Sequence, residues 1–514
     1  MLVRTVTFQS ILFERSEDRD ERNDPPAFFS DLYLDPIVNA VTTGRDEYDL
    51  KPFFYCALHS HEAVEYRQEI MRDLENTLLF ELVKSFAQKM RDMTQYLSQA
   101  QKLFHKYQKE AWFLDAVEIY CDAINAFAKD LAAADLKSRG MTAWLGYLTT
   151  YAGSPRFLSL LADTKKLKAD LSEITYCVLV RGDGIRVRKY NSEADYGAEV
   201  GETFAKFRQG VTDKNTTKFS DFPAMNNVEE KILDFVARLY PDLFRNLDEY
   251  CAKNWDYPDD TIVTFDREIQ FYIAWLEYTA RFKNIGLEFC YPRVSCTLKQ
   301  VYDYEGFDLA LADKLTNKHG QVVCNDFHLE GRERVIVVTG PNQGGKTTFA
   351  RVFGQLHYLA SLGCTVPGHE AQLFLCDGLF THFEREENIA DLRGKLQDDL
   401  IRIHDALNQA TSNSIIIMNE ILTSTTLQDA VFLSRKIMEK VVAMDALCIW
   451  VTFIEEMASF SQQTVSMASG VVPENPAQRT YKITRKPADG LAYAMAIVEK
   501  YRLTYDCIKE RVKT

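Results

Sequence analysis

Eight consecutive residues of this 514-residue chain, Gly340-Pro341-Asn342-Gln343-Gly344-Gly345-Lys346-Thr347, have the types and order needed to hold a polyphosphate. Glycines let the backbone turn its N–H groups inward around phosphate oxygens, and the start of a helix adds a favourable dipole. Lys346 is spaced to reach the β- and γ-phosphates and Thr347 to offer its hydroxyl to Mg²⁺, with Thr348 following in the same cradle. The flanks are what this motif requires. The apolar run from Arg334 to Thr339 reads as a buried strand, and Phe349, Val352, Phe353, Leu356 and Ala360 recur every 3–4 residues, predicting a helix with one buried face. ATP and Mg²⁺ are the expected ligands.

A second element of such a site is a hydrophobic strand ending in acid. Ser414–Met418 supplies the strand, and Asn419 and Glu420 follow. Glu420 is placed to orient an attacking water or accept its proton. The position before it usually holds Asp in such ATPases. Asn419 can still hydrogen-bond a metal-bound water but brings no negative charge. A pair of unit charges about 4 Å apart is worth roughly 4 kcal/mol at an effective dielectric near 20. Loss of one beside a cation already neutralised by phosphates costs less than that, so ATP binding is expected to persist, with weaker Mg²⁺ affinity and slow turnover.

Three stretches must position these groups. Residues 1–50 read as an N-terminal arm, with a β-prone start (Leu2–Phe13) and a solvated run (Ser16–Pro26). Residues 51–295 are mostly helical in pattern. Residues 296–514 alternate β-rich runs with amphipathic helices, as an α/β domain does, and Arg334–Thr339, Ser414–Met418 and Ala446–Thr452 are bulky and continuously apolar, as strands covered on both faces should be. Inside the helical stretch, two β-rich runs flank Gly182-Asp183-Gly184 and predict a hairpin near 175–190. Arg186 and Arg188 share one side of its second strand, with Lys189 beside them: either a phosphate-touching finger or ordinary surface charge. The basic cluster Lys165–Lys168 reads as a solvated helix face, His357 and His404 as surface or capping residues, and Asp398 and Asp399 as acids favoured by a helix start.

Composition sets limits. With 46% hydrophobic and 26% charged residues the chain is globular, and a net charge of −14 means that any nucleic-acid contact must come from a local basic patch. No run approaches the roughly 18 apolar residues of a membrane helix, and the start lacks a signal-peptide core. Eleven cysteines without a CxxC pair read as reduced thiols in the cytoplasm and not as a zinc site.

With these residues in hand, the C-terminal part resembles the ATPase domain of the MutS family. Thr339–Thr348, TGPNQGGKTT, is similar to that family's TGPN-x-GGK-[ST], a pattern made more specific by Pro341, Asn342 and Gly344. Asn325-Asp326 resembles its adenine-side pair, which implies that Asn325 packs near the base. Leu362–Phe383 is similar to its segment ending in an FTR run, Ala390–Leu400 to its signature loop, and Thr423–Ala430 to the loop that crosses to a partner subunit. The match runs from about Cys296 to Leu503. More weakly, Tyr66–Glu75 is similar to the start of the lever and core helices, and the Thr175–Tyr190 hairpin resembles the DNA clamp. The expected fold is therefore mixed: an α-helical N-terminal lever/core region with a small clamp-like β hairpin, then a C-terminal α/β P-loop ATPase domain of the MutS/ABC type. The resemblance also implies a homodimer with nucleotide between subunits. Because the chain reaches only Thr514, that dimer is expected to depend on nucleotide.

Four departures matter. No Phe-x-Glu occurs in the first 150 residues, and there is no room for a mismatch-reading domain. Gly394 stands where the signature loop has Ser, with Lys395 beside it; Asn419 replaces Asp; and Phe453 occupies the place of the switch histidine, with no histidine after His404. Two functions from different classes follow. One is a MutS-like ATPase acting on branched or structured DNA in repair or recombination; the other is a nucleotide-gated protein-interaction switch with an unidentified partner. A metabolite phosphotransferase is disfavoured, since no acceptor motif accompanies the loop. Two altered polar groups predict slow turnover in a multiple-turnover ATPase assay, falling further in Glu420→Ala; a fast wild-type rate would remove the argument.

Overall fold

A computed structural model of the chain describes residues 8–182, 184–192, 225–318, 320–384, 394–472, 475–488, 504–505 and 508–509. Leu2–Thr7 of the β-prone start, Asp183 of the hairpin turn and Ala390–Arg393 of the signature-like stretch lie outside the described residues. In chain order the helices are α1 (Phe29–Leu32), α2 (Leu34–Thr42), α3 (Lys51–Tyr55), α4 (His61–Leu74), α5 (Thr77–Lys102), α6 (Lys106–Ala132), α7 (Arg139–Ala152), α8 (Pro155–Ser172), α9 (Asn227–Leu239), α10 (Pro241–Asn254), α11 (Asp260–Lys283), α12 (Leu309–Thr316), α13 (Lys346–Ser361), α14 (Lys395–Gln409) and α15 (Leu427–Met444). The strands are β1 (Tyr176–Arg181), β2 (Gly184–Lys189), β3 (Phe289–Cys290), β4 (Arg293–Ser295), β5 (Val301–Gly306), β6 (Asn325–Leu329), β7 (Val335–Thr339), β8 (Val366–Pro367), β9 (Glu370–Phe374), β10 (Leu379–Phe383), β11 (Ile415–Asn419), β12 (Leu447–Val451), β13 (Thr464–Val472) and β14 (Asn475–Arg485). They form two compact units: residues 78–135 with 144–266, and residues 1–77, 136–143 and 267–514.

The first of these units is helical with one β ribbon. On α5, Leu79, Val83, Phe86, Met90 and Met93 are buried at intervals of three and four, the stripe a helix needs to pack on one side. Its core is aromatic: Phe86 stacks on Phe127 at 4.5 Å and Trp144 on Phe265 at 3.7 Å between ring centroids. Lys168 pairs with Asp115 and Glu118, while Lys165 and Lys166 are exposed. The hairpin forms where Gly182, at φ +57°, lets the chain reverse, and Leu179 faces Arg186 and Cys177 faces Arg188 across it.

The second unit carries a six-stranded sheet in the order β10-β11-β12-β7-β13-β14, parallel except for β14. The expected strands appear with bounds shifted by a residue or so. One sheet face, through Val335, Val337, Ile416, Met418, Cys448 and Trp450, packs on Ile403 and Leu407 of α14 and Ile437, Met438 and Val441 of α15. α13 packs against β11 and β12, and an added Cβ on its Gly354 would lie 2.7 Å from Ile417 Cδ1 and from Leu32 Cδ1.

That pair of neighbours corrects the expectation of one buried face on α13. Every residue from Phe349 to Ser361 except Arg351 is buried, because the N-terminal segment covers the side turned away from the sheet. Gln355 Nε2 donates to Leu32 O, Tyr358 Oη to Phe54 O, and Arg351 Nε to Asp31 O, while the Phe28 and Phe29 rings meet Tyr358 edge-on at 5.2 Å. Residues 29–55 therefore form short helices, of which Asp31, Leu32 and Phe54 meet α13. There is no strand at residues 8–13. Side chains take its backbone groups instead: Tyr66 Oη donates to Ser10 O, Tyr272 Oη to Ile11 O and Arg67 Nε to Leu12 O, and Glu268 accepts from Ile11 N.

The same enclosure overturns the surface reading of His357, which is 1% exposed. Its Nδ1 lies 2.7 Å from Phe353 O, so Nδ1 carries the hydrogen, and Nε2 has no hydrogen-bond partner among the described residues. Burial holds its pKa down to about 4. The unfolded chain takes that proton near pH 6.5, so folding stability falls as pH drops from about 6.5 to 4, by up to roughly 3 kcal/mol. In urea unfolding, the loss between pH 7 and pH 5 should shrink in His357→Gln; an unchanged loss would contradict this assignment.

Candidate functional site

The parallel strands β7, β11 and β12 end together, and the chemistry-bearing residues leave from those ends. β7 is buried throughout and passes into Gly340 at φ +116°, then Gln343 at φ +60° and Gly345 at φ +90°. Three positive φ values in six residues wrap the loop back on the start of α13. Glycine is required at two of them for that freedom. At Gly344 the reason is space: an added Cβ would lie 2.2 Å from Ser469 Oγ and 2.9 Å from Pro341 O. Ser469, on β13, donates to Gly344 O at 2.7 Å and ties the loop to the sheet.

Lys346 opens α13 with only 4% of its side chain exposed. Its Nζ donates to Gly340 O at 3.0 Å and Pro341 O at 3.1 Å, lies 3.4 Å from Asn342 Oδ1, and pairs with Glu420 Oε1 at 3.5 Å. Burial lowers its pKa, and Glu420 opposes that shift. Asn342 and Gln343 are exposed on the loop, whereas Pro341 is buried and Thr347 and Thr348 are half-buried in the first turn of α13.

Glu420 has φ +49°, an uncommon backbone for a residue with a side chain. Its N–H donates to Val451 O, extending the β11–β12 ladder by one step. Asn419, before it, is buried, and its Oδ1 has no hydrogen-bond partner among the described residues. Phe453, beyond β12, is half exposed.

Asn325 opens β6, and both ends of its amide are engaged: Nδ2 donates to Tyr481 O at 3.1 Å, and Oδ1 accepts from Ile483 N at 2.7 Å. This clamp holds β14 against the loop, so that a Cβ on Gly345 would lie 3.7 Å from Tyr481 Cα. Arg479, on the same strand, donates from Nε to Asn342 O at 3.2 Å. Ser469, Arg479 and Tyr481 were missed by sequence reasoning. Alternating residues through 464–472 and 479–485 were the available signal for a strand pair beside the loop.

Gly394 caps α14, and Lys395 pairs with Glu384, whose Oε1 also accepts from Thr423 Oγ1 at 3.2 Å. Asp398 stays in the first turn of α14, but Asp399 is more than a dipole contact. It is buried, 3.2 Å from His382 Nε2, and burial raises its pKa. In the other unit, Arg186 and Arg188 share a hairpin face, with Arg188 Nε 3.4 Å from Cys177 Sγ. Lys189 lies on the opposite face, its Nζ 4.7 Å from the Tyr240 ring centroid. The three cations therefore do not form one patch on the ribbon.

Residues 336–509 match the family model of MutS domain V. The chain is 25% identical over 219 residues to the DNA mismatch repair protein MutS of Orientia tsutsugamushi (strain Boryong), covering 42% of this chain and 25% of that protein. Identity is 27% over 211 residues to the protein of the same name from Shouchella clausii (strain KSM-K16), covering 41% and 23%. It is 24% over 288 residues to that from Chlorobium phaeovibrioides (strain DSM 265 / 1930), covering 54% and 32%. The chain thus spans about a quarter to a third of the length of these relatives.

Gly344→Ala should destabilise the protein by about 1–3 kcal/mol through overpacking. Ser469→Ala in the same chain should recover only part of this, because Pro341 O stays 2.9 Å away. Thermal unfolding of the two variants checks it, and full recovery in the double variant would show that Ser469 is the sole obstacle.

Proposed function

Taking membership of the MutS family as the premise, we propose that this chain is an ATPase of that family which binds ATP with Mg²⁺ and hydrolyses it slowly at a homodimer interface. The cycle drives a conformational change on branched or structured DNA in repair or recombination. MutS domain V is an ATPase domain, and the residues here fit its ligands. The observation that carries the reading is the turned Gly340–Thr347 loop with Lys346 held between its carbonyls and Glu420.

In this reading, Asn325 lies on the base side, and Gly340 through Thr348 (Pro341, Asn342, Gln343, Gly344, Gly345, Lys346 and Thr347 between them) hold the phosphates. Lys346 exchanges carbonyl partners for phosphate oxygens. Thr347 binds the metal directly and Asn419 through a water, a role suited to its unpartnered buried Oδ1. The metal, when bound, screens phosphate charge. Glu420 orients the attacking water or takes its proton, and its contact with Lys346 holds the carboxylate at the loop. Asn419 and Phe453 supply neither charge nor a phosphate contact, which is the reason for slow turnover.

The DNA part of the proposal rests on the clamp-like hairpin, with Arg186 and Arg188 on one face of the ribbon and Lys189 on the other. Nucleotide-dependent binding to duplex, branched and single-stranded DNA at about 50 mM salt is the test, with Lys346→Ala as control. Affinity should depend on ATP in the wild type, fall steeply with salt and lose its nucleotide dependence in the variant. Absence of binding to every DNA at that salt would instead favour a nucleotide-gated switch acting on a protein partner, the reading to which Asn419 and Phe453 also lend weight.

A further inference from the structure

β14 is the part of the site that neither the motif nor the family likeness assigned a role. Its position beside the loop is set by independent ties: the two-ended Asn325 amide to Tyr481 O and Ile483 N, and pairing with β13, whose Ser469 bonds Gly344 O. These ties fix where Arg479 emerges, opposite Val471 on β13. Its Nε–H bond to Asn342 O orients the guanidinium on the loop. The other side of Asn342 faces Lys346, whose Nζ is 3.4 Å from Asn342 Oδ1. Two cations therefore bracket one loop residue, close enough that Arg479 disfavours the charged form of Lys346.

In a loop of this sequence the lysine serves the outer phosphates, so the Asn342 segment beside its ammonium is where the last phosphate of a bound tail belongs. A guanidinium there offers several donors in a rigid planar fork matched to phosphate oxygens. The usual polar group beyond β12 is replaced by Phe453, which has nothing to offer an anion. Resting on the nucleotide reading above, we propose that Arg479 is a phosphate-counting residue: it binds the terminal phosphate of a nucleoside triphosphate, and so makes this site distinguish ATP from ADP from within its own chain.

The test is calorimetric affinity for MgATP and MgADP in the wild type, Arg479→Ala, Arg479→Lys and Lys346→Ala. Arg479→Ala should weaken ATP at least tenfold and ADP less than threefold, Arg479→Lys should fall between, and Lys346→Ala should weaken both. Equal weakening of ATP and ADP in Arg479→Ala would mean that the residue only braces the loop, and would overturn the proposal, as would no change in either. Wild-type protein that binds neither nucleotide would overturn the ATPase reading along with it. Wild-type binding with an unaltered ATP-to-ADP ratio in Arg479→Ala would overturn this proposal alone.

Discussion

A buried ammonium is costly to keep charged, and the Lys346 ammonium determines how the end of the sheet is built. The carbonyls of Gly340 and Pro341 face it only because Gly340, Gln343 and Gly345 adopt left-handed backbone. Ser469 of β13 braces that curl through its bond to Gly344 O, and the closeness of β13 crowds any side chain at Gly344. Glu420 supplies the counter-charge from the end of β11 through another uncommon backbone conformation. Each local oddity answers to the same cation.

The helix that Lys346 opens is correspondingly immobilised. Sheet residues press on one side of α13, and Leu32, Phe54 and the Phe28–Phe29 pair press on the other. A helix enclosed this way presents its first turn, with Thr347 and Thr348, at a fixed place relative to the strand ends. Asn325 does the same for β14, using both donor and acceptor of one amide to set the register of a strand that carries Arg479.

What could be read from the sequence was what is encoded locally. The Gly340–Thr347 loop is a run of neighbours whose glycines and lysine can be recognised together, and β7, β11 and β12 announce themselves as unbroken apolar runs because both of their faces are covered. The β1–β2 hairpin was legible from Gly182 and Gly184. Contacts between distant residues were not. Nothing near His357 signals that residues 29–55 will cover it, so a histidine on an apparently amphipathic helix read as surface. Leu2–Phe13 looked β-prone by side-chain type, yet the backbone groups of its described part are taken by Tyr66, Arg67, Glu268 and Tyr272. β13 and β14 were passed over because their residues alternate only partly and a bulge breaks their register. With them went Ser469 and Arg479. Likewise Lys189 seemed adjacent to Arg186 and Arg188 in the sequence, but strand alternation turns it to the other face.

The wrapping of α13 by the N-terminal segment has a temporal side. Tyr358 and Phe54, joined by a hydrogen bond, are 304 residues apart. At a synthesis rate of about 5–20 residues per second, the ribosome emits Phe54 roughly 15–60 s before the helix it must embrace. During that interval Phe28, Phe29, Leu32 and Phe54 have no sheet-backed helix to close upon. The loop that carries Lys346 gains its rigid base only once that segment has closed on α13.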